Sequence, residues 1–229
     1  MRFLVPFKQI IFDFDGVLLQ SADLKTKAFA HAYEDEAPEL INAVVAYQEA
    51  HGGIGRREKF RFFERSIFGR QASEERIDAL CAQFKSFISD RILEVPEVAG
   101  ARALLEYLHG NVKMHVVSGM PQDELDDICA RRALTSFFEN LIGVPVSKPE
   151  AFASILKSEG CSPLEVLAIG DSTTEFEAAR DLCIPFLAVV PEGATNKFPP
   201  GTCSLRDFSG VKSTLHKMRT CATSSRMSS

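Results

Sequence analysis

The chain has 229 residues, 45% of them hydrophobic, and a formal net charge of −5, enough for one α/β domain with an insertion or for two small domains around a sizeable core. An acidic balance with no long basic block argues against nucleic acid as a partner, because nothing supplies the charge that neutralises phosphates. Six cysteines, at 81, 129, 161, 183, 203 and 221, lack CxxC spacing and read as reduced thiols rather than as a disulfide framework or zinc site. The apolar opening, residues 1–7, is too short for a signal peptide, and no stretch approaches the run of about 18 apolar residues expected of a membrane span. The expectation is a globular, cytoplasmic protein with neither nucleic acid nor membrane as partner.

The first predicted element is a short strand over 10–12 that delivers two carboxylates two residues apart, Asp13 and Asp15, after which Gly16 allows a sharp change of direction. From residue 21 to about 94 the pattern is helical. Ser21 or Asp23 is placed to cap a helix carrying Leu24, Ala28, Phe29 and Tyr33, and further helices are predicted over 38–50, 57–68 and 73–93. Between the second and third lie Gly52, Gly53 and Gly55, with Arg56, Arg57 and Lys59 close behind; by composition alone this reads as a flexible connector with solvated charges. From Pro96 helices over 100–108, 122–132, 150–159 and 174–182 alternate with strands over 113–117, 141–144, 166–169 and 186–190. Apolar strands alternating with amphipathic helices predict a parallel sheet covered on both faces, with ligands at the carboxyl ends of the strands. Those ends carry Asp13, then Ser118-Gly119, then Gly170-Asp171. The Ser-, Thr- and Arg-rich tail, 216–229, reads as disordered.

Each of these residues also admits a plain structural role. Asp13 and Asp15 diverging around one small volume suit Mg²⁺ and a phosphate, since Mg²⁺ takes hard oxygen ligands and needs only one or two carboxylates; an isolated DxDG is equally an Asp-rich turn. Ser118, ahead of Gly119, offers a hydroxyl and nearby backbone N–H groups to a phosphate oxygen, or simply makes a turn. Lys148 falls between Ser147 and Glu150, a candidate capping box, and precedes Pro149. An ammonium at a helix start opposes the macrodipole, so a nearby anion is implied unless the lysine is merely exposed. Asp171 and Glu175 share one face of a first helical turn, as site carboxylates or as an N-cap with a dipole-complementing glutamate.

In register, these motifs resemble the haloacid-dehalogenase-like superfamily, specifically its phosphatases with a helical cap inserted after the first motif (phosphoglycolate phosphatase and β-phosphoglucomutase-like). The resemblance covers the chain to about Phe208. Asp13-Phe14-Asp15-Gly16-Val17 is similar to the first motif, Ser118 to the second, Lys148 to the third and Gly170-Asp171-Ser172 to the fourth. It implies a Rossmann-like α/β core made of residues 1–18 and 96–215 and a helical cap of residues 19–95. It also implies Asp13 as nucleophile, Asp15 as general acid and base, and Ser118 and Lys148 as phosphate holders, with Mg²⁺ as cofactor held among Asp13, Asp15, Asp171 and Glu175. The segment from Gly53 to Arg56 resembles a cap loop that selects substrates, which makes Gly55 and Arg56 substrate contacts alongside Ser118, Gly119 and Lys148. Two departures stand out: Glu175 occupies a position commonly Asp, and Gln20-Ser21 a position commonly Asp-Ser.

The implied activity is Mg²⁺-dependent hydrolysis of a small phosphorylated metabolite, a sugar phosphate or a phosphorylated acid, by a monomer or weak homodimer. Phosphate monoesters are among the slowest bonds to hydrolyse, so charge stabilisation has to be the main device. Three alternatives stand beside it: a phosphomutase, which would share every core residue, a phosphonatase that would need a cap lysine such as Lys25, Lys27 or Lys59 for a Schiff base, and a catalytically impaired phospho-ligand-binding protein marked by Glu175.

Overall fold

The computed structural model describes residues 7–211; the tail predicted to be disordered and the first six residues lie outside them. The run Gln-Ile-Ile-Phe forms β1 (Gln9–Phe12), buried along its whole length. A strand with no polar face belongs in the middle of a sheet covered on both sides. It pairs in parallel with β2 (Lys113–Pro121) on one side and β4 (Val166–Gly170) on the other. Adding β3 (Asn140–Val144), β5 (Phe186–Val189) and β6 (Ser204–Leu205) gives the order β3-β2-β1-β4-β5-β6, parallel throughout. Side chains alternate across it: Ile10 and Phe12 enter one core with Leu104 and Leu125, whereas Ile11 enters the other with Phe152 and Ala178. The first face is thus covered by α6 (Ala101–Leu108) and α7 (Gln122–Arg131). The second is covered by α8 (Lys148–Glu159) and α9 (Thr173–Asp181).

Four helices inserted between β1 and β2 form the cap: α1 (Ala22–His31), α2 (Pro38–Ala50), α3 (Arg56–Phe62) and α4 (Glu74–Ile88). They surround a core of their own, built on Phe29, whose ring lies 5.1, 5.5 and 4.6 Å from Phe60, Phe63 and Phe84. Such offset and edge-on ring pairs add to area burial.

Several boundaries differ from the sequence expectation, each for a local reason. The helix expected over 57–68 is α3 followed by a wider π-type turn, Phe63–Ile67, closed by Phe68 N–H donating to Phe63 O at 3.0 Å. The wider turn keeps Phe60 and Phe63 buried while Phe62 stacks on Tyr47 at 4.0 Å. The helix expected over 73–93 stops at Ile88, where the Ser89 hydroxyl donates back to Lys85 O at 2.5 Å and competes with the helical ladder; a short α5 (Arg91–Glu94) follows. Strand β2 does not end at Ser118-Gly119 but runs through them to Pro121, its register against β3 shifting between Val117 and Pro121. The two-residue β6 was not expected, since it follows Pro199, Pro200 and Gly201 with no alternation to reveal it. No disulfide links the described cysteines, and no described helix is long and apolar enough to cross a membrane.

Candidate active site

The β1–β4 ladder carries on one bond past β1, with Asp13 N–H donating to Ile169 O at 2.9 Å, and then the chain turns. Gly16 takes a left-handed φ of 74°, and a Cβ there would overlap the Asp171 carboxylate. Only glycine lets the turn after β1 and the loop after β4 approach so closely. The turn also separates the first two carboxylates. Asp13 stays buried at the sheet edge, whereas Asp15 faces the cap, accepting from Ser21 Oγ at 2.5 Å and pairing with Lys25. Ser21 sits at the N-cap of α1, but its hydroxyl serves Asp15 rather than a backbone N–H.

Lys148 opens α8, behind a capping box in which Ser147 N–H donates to Glu150 Oε2 at 3.0 Å and Glu150 N–H to Ser147 Oγ at 3.4 Å. Its side chain is only 7% exposed, with Nζ 3.5 Å from Asp13 Oδ1 and paired with Glu175. The anion that a lysine at a helix start requires is therefore present twice over. Glu175 is itself the far half of a second capping box, on Ser172: its Oε2 accepts from Ser172 N–H at 3.0 Å and from the Ser172 hydroxyl, and its Oε1 accepts from Thr174 Oγ1 at 2.9 Å. The Ser-x-x-Glu signal at 172–175 was in the sequence; it makes Ser172 the N-cap of α9 and leaves Asp171 to face the site.

Asp13, Asp171 and Glu175 bring carboxylate oxygens within 4.8 Å of one another. Burial above all, and then the charge of Asp13, pushes Asp171 up to about 7, against the pull of Lys197 and Lys148. Asp13 is likewise raised by burial, with Lys148 opposing. A buried and a half-buried carboxylate that resist ionising together, offering only hard oxygen donors, suit a divalent cation such as Mg²⁺. Asp13 and Asp171 fit that role. Glu175 brings an oxygen to the same group while also meeting Lys148 and its own helix start, whereas Asp15 is turned to Ser21 and Lys25.

The glycine-rich segment is not a plain connector. A Cβ on Gly53 would overlap the side chains of Ser172 and Thr174, so this glycine lets the cap press on the loop after β4. Beneath it, Gly119 lies where a Cβ would stand 3.2 Å from Gly53 O. Ser118 is buried beside it, its Oγ accepting from Met120 N–H at 3.2 Å. Gly55 is the N-cap residue of α3, and Arg56 its first. Arg56 lines the space between cap and core with its charge already engaged: its guanidinium lies 4.2 Å over the Phe84 ring and is paired with Glu124 of α7.

Between cap and sheet lies a partly enclosed cavity of about 60 Å³, to which the core contributes Asp13, Asp15, Lys148 and Asp171 and the cap Lys25 and Lys59. Glu124 and the placement of Lys59 escaped sequence reading, since nothing in their local spacing shows that they meet the sheet edge.

The sequence profile of haloacid dehalogenase-like hydrolases matches residues 10–189. Among solved structures, a "predicted phosphoglycolate phosphatase" of Haemophilus somnus 129pt is 20% identical, with a TM-score of 0.74 over 92% of this chain and 99% of that one. The β-phosphoglucomutase of Clostridium difficile is 16% identical, with a TM-score of 0.74 over 93% and 97%. The HAD-hydrolase YfnB of Bacillus subtilis, bound to magnesium, is 17% identical, with a TM-score of 0.69 over 92% and 99%. No curated protein matches the sequence significantly. At these identities the structures establish the fold, and the profile, which spans most of the chain and contains every motif at the sheet edge, establishes the family: this chain is a haloacid dehalogenase-like hydrolase.

Proposed function

We propose that the protein is a Mg²⁺-dependent phosphatase acting on a small phosphorylated metabolite through an aspartyl-phosphate. The observation that carries this reading is the Asp13–Lys148 pair, a buried carboxylate 3.5 Å from a buried ammonium at the carboxyl edge of the sheet, with Asp171 beside it. In the first displacement Asp13 Oδ attacks phosphorus as the P–O ester bond breaks, and Asp15, on the cap side, gives its proton to the departing oxygen. In the second, water attacks the phosphorus of the aspartyl-phosphate, Asp15 takes the water proton, and inorganic phosphate leaves with Asp13 restored. The Ser118 hydroxyl, the backbone at Gly119 and the Lys148 ammonium hold the non-bridging oxygens. Bound between Asp13 and Asp171, Mg²⁺ would neutralise charge on the transferring phosphoryl group. Glu175 fixes Lys148 in place, and the closed cap keeps bulk water from the site. The cavity lined by Asp13, Asp171 and Lys148 holds about 60 Å³, which supports a small leaving group.

The test is phosphate release from a panel of sugar phosphates, phosphorylated acids and nucleotides with Mg²⁺, with mass-spectrometric detection of a phosphoryl group on Asp13. Phosphate moved between positions of a sugar without release would replace this reading with a mutase. No turnover on any ester would replace it with a binding function.

A further inference from the structure

The cap wall of the cavity carries three cations, Lys25, Arg56 and Lys59, and no carboxylate. Two of them are already neutralised, Lys25 by Asp15 and Arg56 by Glu124. Lys59 is not. Its side chain is 2% exposed, and its ammonium donates to two neutral acceptors, Gln48 Oε1 at 2.5 Å and Gly52 O at 3.1 Å. Among the described residues no carboxylate lies within ion-pair distance of it. An ammonium has three donors, so one remains for the cavity.

A buried cation without a counterion is costly unless something supplies the missing charge. The strain shows in the titration of Lys59, which is lowered to about 7, first by burial and then by the neighbouring charge of Lys25, with Lys148 adding. The carboxylates that oppose this shift, Asp15 and Asp171, belong to the sheet side of the cavity. They also cannot be the missing counterion: Asp15 is taken by Lys25, and Asp171 faces Asp13.

We propose that Lys59 is the specificity-determining cation of a cap subsite, held by Gln48 and Gly52, that receives a negatively charged group on the leaving portion of the substrate. The substrate class is then a short phosphate monoester bearing a second anion, either a carboxylate or another phosphate. This inference rests on the phosphatase reading above for its kinetic arm only; the subsite itself is a binding claim. Charge balance in the cavity is what favours an anion, since a neutral leaving group would leave Lys59 as unmatched as it is in the free protein.

Three esters on one carbon skeleton separate the outcomes: 3-phosphoglycerate, with a carboxylate; glycerol 1,3-bisphosphate, with a second phosphate; and glycerol 3-phosphate, whose leaving group is neutral. With Mg²⁺, one or both anionic esters should exceed glycerol 3-phosphate in kcat/KM by ~10-fold or more, and Lys59→Met should shrink that preference by ~10- to 100-fold, the scale of a charge-assisted contact. Whichever anionic ester is favoured identifies the group. Gln48→Glu provides a second variant that supplies Lys59 with an internal counterion; it should raise the melting temperature and still reduce the preference, an opposition that damage to the fold would not produce. To separate this proposal from the catalytic one, the same esters are titrated calorimetrically into Asp13→Asn protein with and without Lys59→Met. Tighter binding of the anionic esters that is lost with Lys59 supports the subsite even if no ester is turned over. Equal handling of charged and neutral esters by the unaltered protein, or a preference that survives both Lys59→Met and Gln48→Glu, would overturn it.

Discussion

Arg56 at the start of α3 and Glu124 on α7 meet through two parallel contacts, Nη1 to Oε1 at 3.0 Å and Nη2 to Oε2 at 2.5 Å, joining cap to core across the cavity. Both side chains are nearly buried, at 8% and 9% exposure; removing Glu124 leaves Arg56 with no carboxylate partner among the described residues, and removing Arg56 leaves Glu124 only Lys85, 3.7 Å from its Oε1. Breaking one partner of such a pair typically costs about 3–5 kcal/mol, because the survivor is left as an uncompensated buried charge. The sequence had offered Arg56 as a direct contact to the leaving group; it lines the cavity, but its guanidinium is engaged by Glu124.

Arg56→Ala and Glu124→Ala should therefore each lower kcat/KM by ~10-fold or more on p-nitrophenyl phosphate and on the preferred ester alike. The double variant should lose much less than the two single losses combined, as residues acting through one contact do. A double-mutant cycle on kcat/KM measures this coupling. A loss confined to the preferred ester would return Arg56 to the substrate.

Asp13→Asn should abolish turnover while leaving the fold intact. The amide matches the carboxylate in volume but is a far poorer nucleophile, and removing a charge that burial already disfavours does not destabilise the sheet edge. Phosphate release and far-UV circular dichroism on the same preparation check both halves. Activity above a few per cent in pure protein would remove Asp13 from the nucleophile's role.

The Asp171 carboxyl, pushed from its ordinary 3.8 up to about 7, sets a pH dependence whose sign is fixed. Between those values the folded protein holds a proton that the unfolded chain has released, so this group makes the metal-free protein less stable as pH rises from about 4 to about 7. Asp171→Asn should accordingly melt higher than the unaltered protein in EDTA above pH 7, and the two should converge near pH 4. Saturating Mg²⁺ should reverse the order above pH 7, because only the aspartate protein gains stability by binding the ion. Thermal melts of both proteins with and without Mg²⁺ decide it, and an unaltered protein that melts higher in EDTA above pH 7 would contradict the assignment.

The extent to which the site was legible followed the range of the interactions. Ser147-x-x-Glu150 and the apolar run before Asp13 are local, and their capping and strand geometry form as the sequence suggests. The parallel order of the sheet followed from alternating apolar strands and helices, and it is this order that brings Asp13, Ser118 and Asp171 to one edge. What could not be read were choices among partners. Nothing in the spacing of Glu175 shows that Lys148 arrives beside it from another helix while its other oxygen closes the Ser172 cap. Arg56 and Lys59 lie three residues apart on α3, yet one meets Glu124 and the other Gln48, contacts set by how the cap docks and folds. The helix break at Ser89 and the wide turn at Phe63–Ile67 were hidden because apolar spacing continues through both.

Glu175 provides the last test, because its length suits it to two tasks at once. One oxygen closes the Ser172 capping box and the other meets Lys148, so the extra methylene that distinguishes it from aspartate spans the distance between a helix start and the phosphate site. Glu175→Ala should lose the cap, about 0.5–2 kcal/mol of stability, and release Lys148 from its fixed position. The kinetic signature should then be a raised KM for the phosphate ester and weaker inhibition by inorganic phosphate. The Mg²⁺ concentration giving half-maximal activity should change less than it does in Asp171→Ala, since one Glu175 oxygen is already engaged by the Ser172 cap and the other by Lys148. Glu175→Asp, too short to serve both Ser172 and Lys148, should fall between the unaltered protein and Glu175→Ala in both stability and KM. Mg²⁺ titrations of the three variants against one ester distinguish the roles: a Mg²⁺ requirement in Glu175→Ala raised as far as in Asp171→Ala would make Glu175 a metal ligand after all.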